Sequence, residues 1–266
     1  MKNLVFLKMG GSLITDKDKP YTARPGTIKR LARELKRALT DSPETLILLG
    51  HGSGSFGHVA GKAHSTRQGV KTHDQWLGFV NVWKAARTLN QILTGIMLDE
   101  GLPVISFPPS AMINSEAGNI IEWNLDPIQQ ALHNGLIPIV YGDVVFDQQI
   151  GGTILSTEEL FSYLAYKLKP QKLLLSGIVT GVFADFPICK SLIPMITPES
   201  RTSIQSELQG SAWVDVTGGM LQKVDDMLSL SKQLNHLEVI IFSGEKPENL
   251  YNVIKGSKIG TIISHQ

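Results

Sequence analysis

Three glycine-rich turns, far apart in the chain, each lie beside a lysine or a histidine. The first is Lys8-Met9-Gly10-Gly11-Ser12, directly after an apolar run. Glycines let backbone N–H groups approach an anion closely, and the N-terminus of a following helix adds its dipole. A lysine at the end of a buried strand is costly unless it has a partner. The turn therefore indicates either a phosphate site with Lys8 as its cation, or a tight turn whose lysine reaches solvent.

The second turn is His51–His58, which follows the apolar run Leu46–Leu49. Its glycines match the pattern G-x-G-x-x-G of Rossmann dinucleotide sites. Such a site needs an acidic residue at the end of a second strand roughly 20 residues later, but here the chain leads into a long predicted helix. A dinucleotide-binding oxidoreductase is kept as an alternative. His58 can donate hydrogen bonds to a phosphate, although a lone histidine in a turn more often packs or caps.

The third turn is Asp215–Met220, with Lys223 four residues after its last glycine. A lysine near the N-terminus of a helix is electrostatically unfavourable, so Lys223 is either a solvated side chain or a further cation near a transferred phosphate. The chain has no G-x-x-x-x-G-K-[ST], H-E-x-x-H, C-x-x-C or G-x-S-x-G pattern. These absences exclude a P-loop protein and the common zinc and serine-hydrolase classes.

Apolar runs alternate with helical periods along the chain. Six runs predict buried strands: Leu4–Met9, Leu46–Leu49, Pro103–Phe107, Ile137–Tyr141, Lys172–Leu175 and Glu238–Phe242. Apolar spacing predicts five helices: Thr27–Thr40, Asp74–Glu100, Asp126–Asn134, Glu158–Lys167 and Met220–Lys232. This alternation predicts an α/β fold, a three-layer αβα sandwich with a mainly parallel central sheet. Two glycine turns on neighbouring strands then indicate two anionic ligands, or one ligand bound from both sides.

The composition limits the function classes. The 266 residues are 42% hydrophobic and carry a net charge of +1, so the chain can bury a large core but has no basic excess for nucleic acid or an anionic membrane. No stretch approaches the 18 apolar residues of a membrane span. The single cysteine, Cys189, fits a reducing compartment. We expect a soluble, cytoplasmic protein with no nucleic-acid or membrane partner.

In this order, the three motifs resemble the amino-acid-kinase family, from Leu4 to about Lys232. The segments Lys8–Lys17, Gly54–His58 and Tyr141–Val144 are similar to the isopentenyl phosphate kinases within that family. The resemblance implies an enzyme that uses ATP and Mg²⁺ to phosphorylate isopentenyl phosphate or a similar phosphate monoester, and it suggests a homodimer. It implies one domain over residues 1–266, with an acceptor-binding lobe (1–170) and a nucleotide-binding lobe (171–266).

The resemblance also assigns roles to individual residues. Those expected to cradle ATP are Lys8, Gly10, Gly11, Ser12 and Gly54, with Gly218, Gly219 and Lys223 at the nucleotide end. Those expected on the acceptor side are Ser53, Gly57, His58 and Thr157, with His58 on the acceptor phosphate. Lys17 would lie beside the transferring group, so the catalytic set implied is Lys8, Lys17, His58 and Lys223.

The chain departs from the family pattern in three places. Ser53 stands where a glycine is usual, Ser156–Glu158 where S-G-D is usual, and Gly177–Gly181 where T-D-V-D-G is usual. Glu158 is a candidate to replace the lost carboxylate, and Asp185 is a candidate near the nucleotide. The missing aspartates leave a non-catalytic nucleotide sensor as an alternative. The turn Gly54–His58 is shared with fosfomycin kinases, which leaves a phosphonate as an alternative acceptor.

Two further expectations concern the acceptor and a possible lid. The long helix carries Phe79, Val80, Val82, Trp83 and Ala86, which could form one wall of an apolar pocket or could be ordinary core. The segment Pro187–Gly210 is the least regular part of the chain and could be a flexible lobe or lid.

Overall fold

The computed structural model describes residues 3–57, 65–185, 188–201 and 220–265. Its strands are β1 (Leu4–Met9), β2 (Leu46–His51), β3 (Val104–Ser106), β4 (Ile113–Glu116), β5 (Asn119–Trp123), β6 (Ile137–Tyr141), β7 (Asp143–Asp147), β8 (Gly151–Leu155), β9 (Lys172–Gly177), β10 (Met195–Ile196), β11 (Glu238–Ser243) and β12 (Thr261–Ile263). Its α-helices are α1 (Gly11–Ile14), α2 (Pro25–Thr40), α3 (His73–Asp99), α4 (Asp126–His133), α5 (Thr157–Leu168), α6 (Met220–Gln233) and α7 (Asn249–Ile254).

The central sheet has eight strands in the order β10-β12-β11-β9-β1-β2-β6-β3. All its neighbouring strands are parallel except β11 and β12. The strands of the predicted 1–170 lobe form one half of this sheet, those of the 171–266 lobe form the other, and β1 and β9 pair between them. A second sheet, β5-β4-β7-β8, stands apart from it.

The alternation of side chains along β1 shows how helices cover both faces. Val5, Leu7 and Met9 join one core with the apolar sides of α2, α3 and α7. Leu4 and Phe6 join a second core with α4, α5 and α6. Successive side chains of a strand point to opposite faces, so Lys8 follows Leu4 and Phe6 towards α5 and α6. The predicted three-layer α/β sandwich is confirmed.

Two long helices begin at complete capping boxes. At the start of α5, the Ser156 hydroxyl accepts from the Glu159 N–H at 3.2 Å, and the Glu159 carboxylate accepts from the Ser156 N–H at 2.6 Å. Thr72 and Gln75 make the same reciprocal pair at the start of α3. Each box satisfies backbone donors that have no partner inside the helix. The capping box of Ser156 and Glu159 therefore fixes where α5 begins, and it places Glu158 in the first turn of that helix.

The second sheet is the part of the fold that the sequence does not predict. Its strand β5 is largely exposed, and β4 alternates between buried and exposed residues over only four positions. Such short, half-polar segments lack the continuous apolar run of a buried parallel strand. Asp147 holds this sheet together, because its carboxylate accepts hydrogen bonds from the backbone of Ala117, Gly118 and Ile150 at 2.8 to 3.0 Å.

Among the described helices, none is both long enough and apolar enough to cross a bilayer. The expectation of a lid over 187–210 falls partly outside the described residues. Residues 188–201 include the short strand β10, which pairs with β12 at the edge of the central sheet.

Candidate active site

A carboxylate held between two lysines forms the centre of the site. Lys8 Nζ, at the end of β1, donates a hydrogen bond to Glu158 Oε1 in the first turn of α5. Lys223 Nζ, from α6, lies 3.6 Å from the same oxygen. The three side chains come from separated parts of the sequence, and their exposed fractions are 11%, 24% and 30% for Lys8, Glu158 and Lys223. Two of the predicted catalytic lysines are thus brought together by a carboxylate.

Gly50 allows α5 to begin this close to the sheet. It pairs with Lys8 in the register of β1 and β2. A Cβ at position 50 would lie 2.6 Å from both the Phe161 ring and the Thr157 methyl group. Any larger residue would therefore push the start of α5, and Glu158 with it, away from Lys8.

The ion pairs set the charge of this centre. Burial raises the pKa of Glu158, but Lys8 and Lys223 outweigh burial and hold the pKa below its ordinary value. Burial lowers the pKa of Lys8, and Lys223 lowers it further, whereas Glu158 raises it. Glu158 is therefore ionised at neutral pH and is the group that opposes deprotonation of the buried lysine.

The first two glycine turns lie against each other, backbone to backbone. A Cβ on Gly11 would lie 2.3 Å from the Gly54 nitrogen, and a Cβ on Gly52 would lie 2.8 Å from the Gly11 nitrogen. Gly54 has φ +48°, which favours glycine, and a Cβ there would collide with the Thr15 hydroxyl at 2.1 Å. These contacts place the ends of β1 and β2 in one continuous site.

Not every glycine of the first turn is available to a ligand. The Gly10 N–H donates to the Ser176 carbonyl at 2.7 Å, so it is already used to join β1 to the end of β9. Gly11 and Ser12 form the first turn of the four-residue helix α1, where N–H groups have no partner within the helix. Of this predicted ATP cradle, Gly11 and Ser12 have the backbone groups that suit an anion.

A cavity of about 430 Å³ adjoins the second glycine turn and the start of α5. Its polar end contains Ser53, Gly57 and Thr157, the described members of the predicted acceptor side. Its apolar wall is made by Val82 and Ala86 of α3 and by Ile154 and Leu155 of β8. A volume and lining of this kind are typical of small-molecule sites. The polar and apolar parts predicted separately for the acceptor therefore share one cavity.

The other predicted wall residues do not line this cavity. Phe79 is buried and contacts Trp76 and Phe146, with ring centroids 5.2 and 5.3 Å apart. Val80 is 51% exposed. Trp83 is partly buried against the core formed with α2 and α3. Of the five apolar residues considered for the pocket, Val82 and Ala86 are the two that reach it.

The Thr157 hydroxyl is already hydrogen-bonded. It donates to the His51 carbonyl at 2.6 Å and accepts from the Gly142 N–H at 3.0 Å. Thr157 therefore ties α5 to β2 and to the β6–β7 turn. An acceptor could still contact its backbone N–H, which has no helical partner in the first turn of α5.

Lys17 lies on an exposed loop that is fastened to the second glycine turn. The bridge between Thr15 and Ala23 closes the loop. Thr15 Oγ1 accepts from the Ser55 N–H at 3.0 Å, and the Thr22 N–H donates to Ser55 Oγ at 3.4 Å. Lys17 itself is exposed. The structure thus joins its loop to the site without fixing its side chain against Glu158.

Three predicted site residues, His58, Gly218 and Gly219, lie outside the described residues. Their roles stay predictions. Asp185, the candidate for the nucleotide side, accepts hydrogen bonds from the backbone of Lys190 and Ser191 at 2.9 to 3.1 Å. This carboxylate therefore closes a local turn. In the turn Gly177–Gly181, which lacks the usual aspartates, Ile178 and Val179 are exposed. Ser243 Oγ donates to the Ile178 carbonyl at 3.1 Å.

The sequence did not single out Asp143, which also lines the cavity. It is 1% exposed and accepts from the N–H groups of Val144 at 2.9 Å and Ser110 at 3.3 Å. Burial raises its pKa to about 6. Asp143 lies in the segment Tyr141–Val144, which carries part of the family resemblance, but no role of its own was predicted for it from the sequence. His51 has a structural role, because it is buried, stacks on Tyr141 and hydrogen-bonds Asn90.

Among the described residues, no group of three or more histidine, cysteine or acidic side chains could hold a metal ion. Mg²⁺ in kinases is commonly bound through one or two carboxylates together with the substrate phosphates. Glu158 is the carboxylate nearest the predicted phosphate sites, but it is already paired with Lys8 and Lys223. We therefore derive no step through a protein-bound metal.

The fold and the lysine–glutamate–lysine centre are consistent with a phosphotransferase, and the comparison with known families assigns the class. Residues 3–243 match the model of the amino acid kinase family. The chain belongs to the amino acid kinase family, and its predicted class, a phosphotransferase of that family, is confirmed.

Several similar proteins are isopentenyl phosphate kinases. That of Methanocaldococcus jannaschii is 32% identical over 98% of both chains. That of Methanothermobacter thermautotrophicus is 29% identical over 98% of this chain and 99% of its own. A solved structure of isopentenyl phosphate kinase superposes with a TM-score of 0.83 at 27% identity, covering 98% of this chain and 100% of its own.

Proposed function

We propose that this chain transfers the γ-phosphoryl group of ATP to isopentenyl phosphate and forms isopentenyl diphosphate. The observation that carries the proposal is the single cavity in which the apolar wall of Val82, Ala86 and Ile154 meets the glycine turn beside Glu158. An acceptor with a short hydrocarbon tail and a phosphate head matches such a lining. The full-length similarity to isopentenyl phosphate kinases supports the same acceptor.

A phosphate acceptor removes the need for a general base. The second pKa of a phosphate monoester is about 6, so the acceptor is largely dianionic at neutral pH and can attack directly. The obstacle is the approach of two polyanions, since repulsion between unit charges 4 Å apart is about 4 kcal/mol at an effective dielectric of about 20. Phosphoryl transfer then depends on alignment and on charge neutralisation.

The chain supplies this neutralisation from several elements. We assign Lys8 and Lys223 to the transferring phosphoryl group, because they converge on Glu158 from β1 and α6. Glu158 keeps Lys8 protonated and orients both ammonium groups. Lys17, on its exposed loop, would close on the same group from the other side. The two catalytic positions outside this centre, Lys17 and His58, rest on the family resemblance.

Nucleotide binding is assigned to the first glycine turn and to the start of α6. Gly11 and Ser12 would bind ATP phosphates through backbone N–H groups, with Gly54 beside them and Gly218 and Gly219 at the nucleotide end. Mg²⁺ would arrive with the ATP phosphates and spread their charge. We also propose a cytoplasmic homodimer in isoprenoid biosynthesis through the mevalonate pathway, with the acceptor and nucleotide lobes divided near residue 170.

An acceptor panel tests the proposal. The purified chain is given Mg-ATP and, in parallel, isopentenyl phosphate, fosfomycin and methyl phosphate, and ADP release is measured. We expect the highest kcat/KM for isopentenyl phosphate, because only its tail fills the apolar wall, and a diphosphate as product. A higher kcat/KM for fosfomycin would instead favour the phosphonate kinase. ATP binding by calorimetry without transfer to any acceptor would favour the nucleotide sensor.

A further inference from the structure

Arg67 is the one cation among the described residues that line the acceptor cavity, whose two acidic residues are Asp143 and Glu158. Glu158 is paired with Lys8 and Lys223, so those lysines are partly used in balancing a carboxylate of the chain itself. A dianionic acceptor brought into this cavity needs a further positive charge. Arg67 belongs to the short 3₁₀ helix Thr66–Gln68 and was not among the predicted site residues.

The backbone of Arg67 is fixed, and its side chain is exposed and paired with Glu159. The Arg67 carbonyl accepts from Thr153 Oγ1 on β8 at 3.2 Å. Three residues later, the Val70 N–H donates to the Ile150 carbonyl at 2.8 Å. The side chain is 59% exposed and reaches Glu159, with Arg67 Nη2 2.6 Å from Oε1. The guanidinium therefore stands on a rigid base at the rim of the cavity.

The present partner of Arg67 can be exchanged at little cost. An exposed pair of this kind is worth about 0 to 1 kcal/mol. Glu159 does not depend on it, because its other oxygen, Oε2, accepts from the Ser156 N–H in the capping box. A phosphate dianion offers a guanidinium two parallel charge-assisted hydrogen bonds, which are roughly twice as strong as neutral ones. Substrate thus competes favourably with Glu159.

We propose that Arg67 is a further acceptor-binding residue. Its guanidinium breaks its ion pair with Glu159 and binds the phosphate of the incoming monoester at the mouth of the cavity. The inference rests on the proposed function, because it takes the cavity to be the acceptor site. It assigns Arg67 to capture and retention of the acceptor. The transferring phosphoryl group remains with Lys8 and Lys223.

The test measures isopentenyl phosphate binding by calorimetry without ATP, and then steady-state kinetics with Mg-ATP. Arg67→Gln should weaken acceptor binding and raise its KM by about 10- to 100-fold, the loss expected for a charge-assisted hydrogen bond, while the KM for ATP stays within twofold. Arg67→Lys should recover part of the affinity, because it keeps the charge but not the planar fork.

Glu159→Gln is the matched control. Glutamine can still complete the capping box, but it removes the charge that pairs with Arg67. If Arg67 binds the acceptor, this variant keeps or improves acceptor affinity. If Arg67 only steadies α5 through Glu159, both variants lower kcat together and the inference is wrong.

The two proposals fail in different ways. If the wild-type chain binds isopentenyl phosphate and Arg67→Gln binds it equally well, only the role of Arg67 is refuted. If the wild-type chain shows no binding at all, the assignment of the cavity to this acceptor falls, and the role of Arg67 falls with it.

Discussion

Two carboxyl groups line the same cavity in opposite electrostatic conditions. Glu158 stands between Lys8 and Lys223, and its pKa lies below the ordinary value although burial opposes this. Asp143 lies at the start of β7. Burial raises its pKa, and only hydrogen bonds from Ser110 and Val144 act in the opposite direction. Its pKa rises to about 6. Burial is common to both, so the nearby cations decide whether the pKa falls below its ordinary value or rises above it.

This contrast shows how the fold assigns different tasks to similar groups. A permanent anion at Glu158 opposes the deprotonation of buried Lys8, which the proposed mechanism places beside the transferring phosphoryl group. A second permanent anion at Asp143 would repel a dianionic acceptor, and its raised pKa reduces that charge near pH 6. The same cavity therefore holds one carboxyl group whose pKa lies below its ordinary value and one whose pKa is raised to about 6.

The largest expected effect comes from removing the charge of Glu158. In Glu158→Gln, burial and Lys223 both lower the pKa of Lys8, and no carboxylate opposes them. We expect kcat to fall about 100-fold or more, as for loss of a preorganised charged group. Steady-state kinetics from pH 6 to 9 should show a partial recovery at low pH, where Lys8 regains its proton.

Glu158→Asp separates charge from reach. It restores the carboxylate of the usual family pattern with a side chain one methylene shorter, so kcat should lie between those of the wild type and Glu158→Gln. If Glu158→Gln kept kcat within threefold of the wild type, Glu158 would not be the group that sets the charge of the two lysines.

The centre was predictable only in part. Lys8 and Lys223 could be proposed because each lies beside a glycine-rich turn. Glu158 could be proposed because it occupies the position at which the family pattern has an aspartate. That all three meet at one oxygen depends on Gly50, which removes the side chain that would separate α5 from β2. Close approach of two backbones leaves no periodic signal in the sequence.

The fold shows the same limit. The strands Leu4–Met9 and Ile137–Tyr141 were predicted to the residue, and the other predicted strands and helices begin and end within two residues of their predicted bounds. The small sheet was missed, although its strand β7 carries Asp143 and its strand β8 carries two residues of the acceptor wall, Ile154 and Leu155. Its four strands are short, β4 and β5 expose at least every second residue, and the sheet is held by side-chain contacts such as those of Asp147. Such contacts join residues about 30 positions apart.

An intermediate effect is expected when one of the two cations is removed. Lys223→Met leaves Lys8 paired with Glu158, so the carboxylate stays ionised while one positive charge on the transferring group is lost. We expect kcat to fall about 10-fold or more. Lys232→Met, on the last turn of the same helix and exposed, is the matched control and should keep kcat.

The double variant Glu158→Gln/Lys223→Met tests the coupling within the centre. Residues in one ion-pair network are not additive, and loss of Lys223 relieves the repulsion that Lys8 meets in Glu158→Gln. The double variant should therefore be less impaired than the product of the two single effects. A simple product would mean that Lys223 acts independently of Glu158.

The smallest effect concerns stability at the isolated carboxyl group. Asp143 has a folded-state pKa of about 6, above the ordinary 3.8. Its contribution to stability is therefore fully present below about pH 4 and is lost as the pH rises through about 6. The wild type should lose about 2 kcal/mol relative to Asp143→Asn between pH 4.5 and 8, because at 1.36 kcal/mol per pKa unit the loss in this range falls between pH 4.5 and the folded-state pKa of about 6. Urea unfolding at pH 4.5, 6 and 8 measures this difference.

Asp147→Asn provides the opposite case on the same strand. Burial raises the pKa of Asp147, but hydrogen bonds from Gly118, Ile150 and Ser115 outweigh it and lower the pKa to about 2. Its contribution is present above about pH 4 and is lost only as the pH falls towards 2. The difference between the wild type and this variant should stay constant from pH 4.5 to 8. If the Asp143→Asn profile were equally flat, burial without a cation would not raise that pKa, and the contrast with Glu158 would fail.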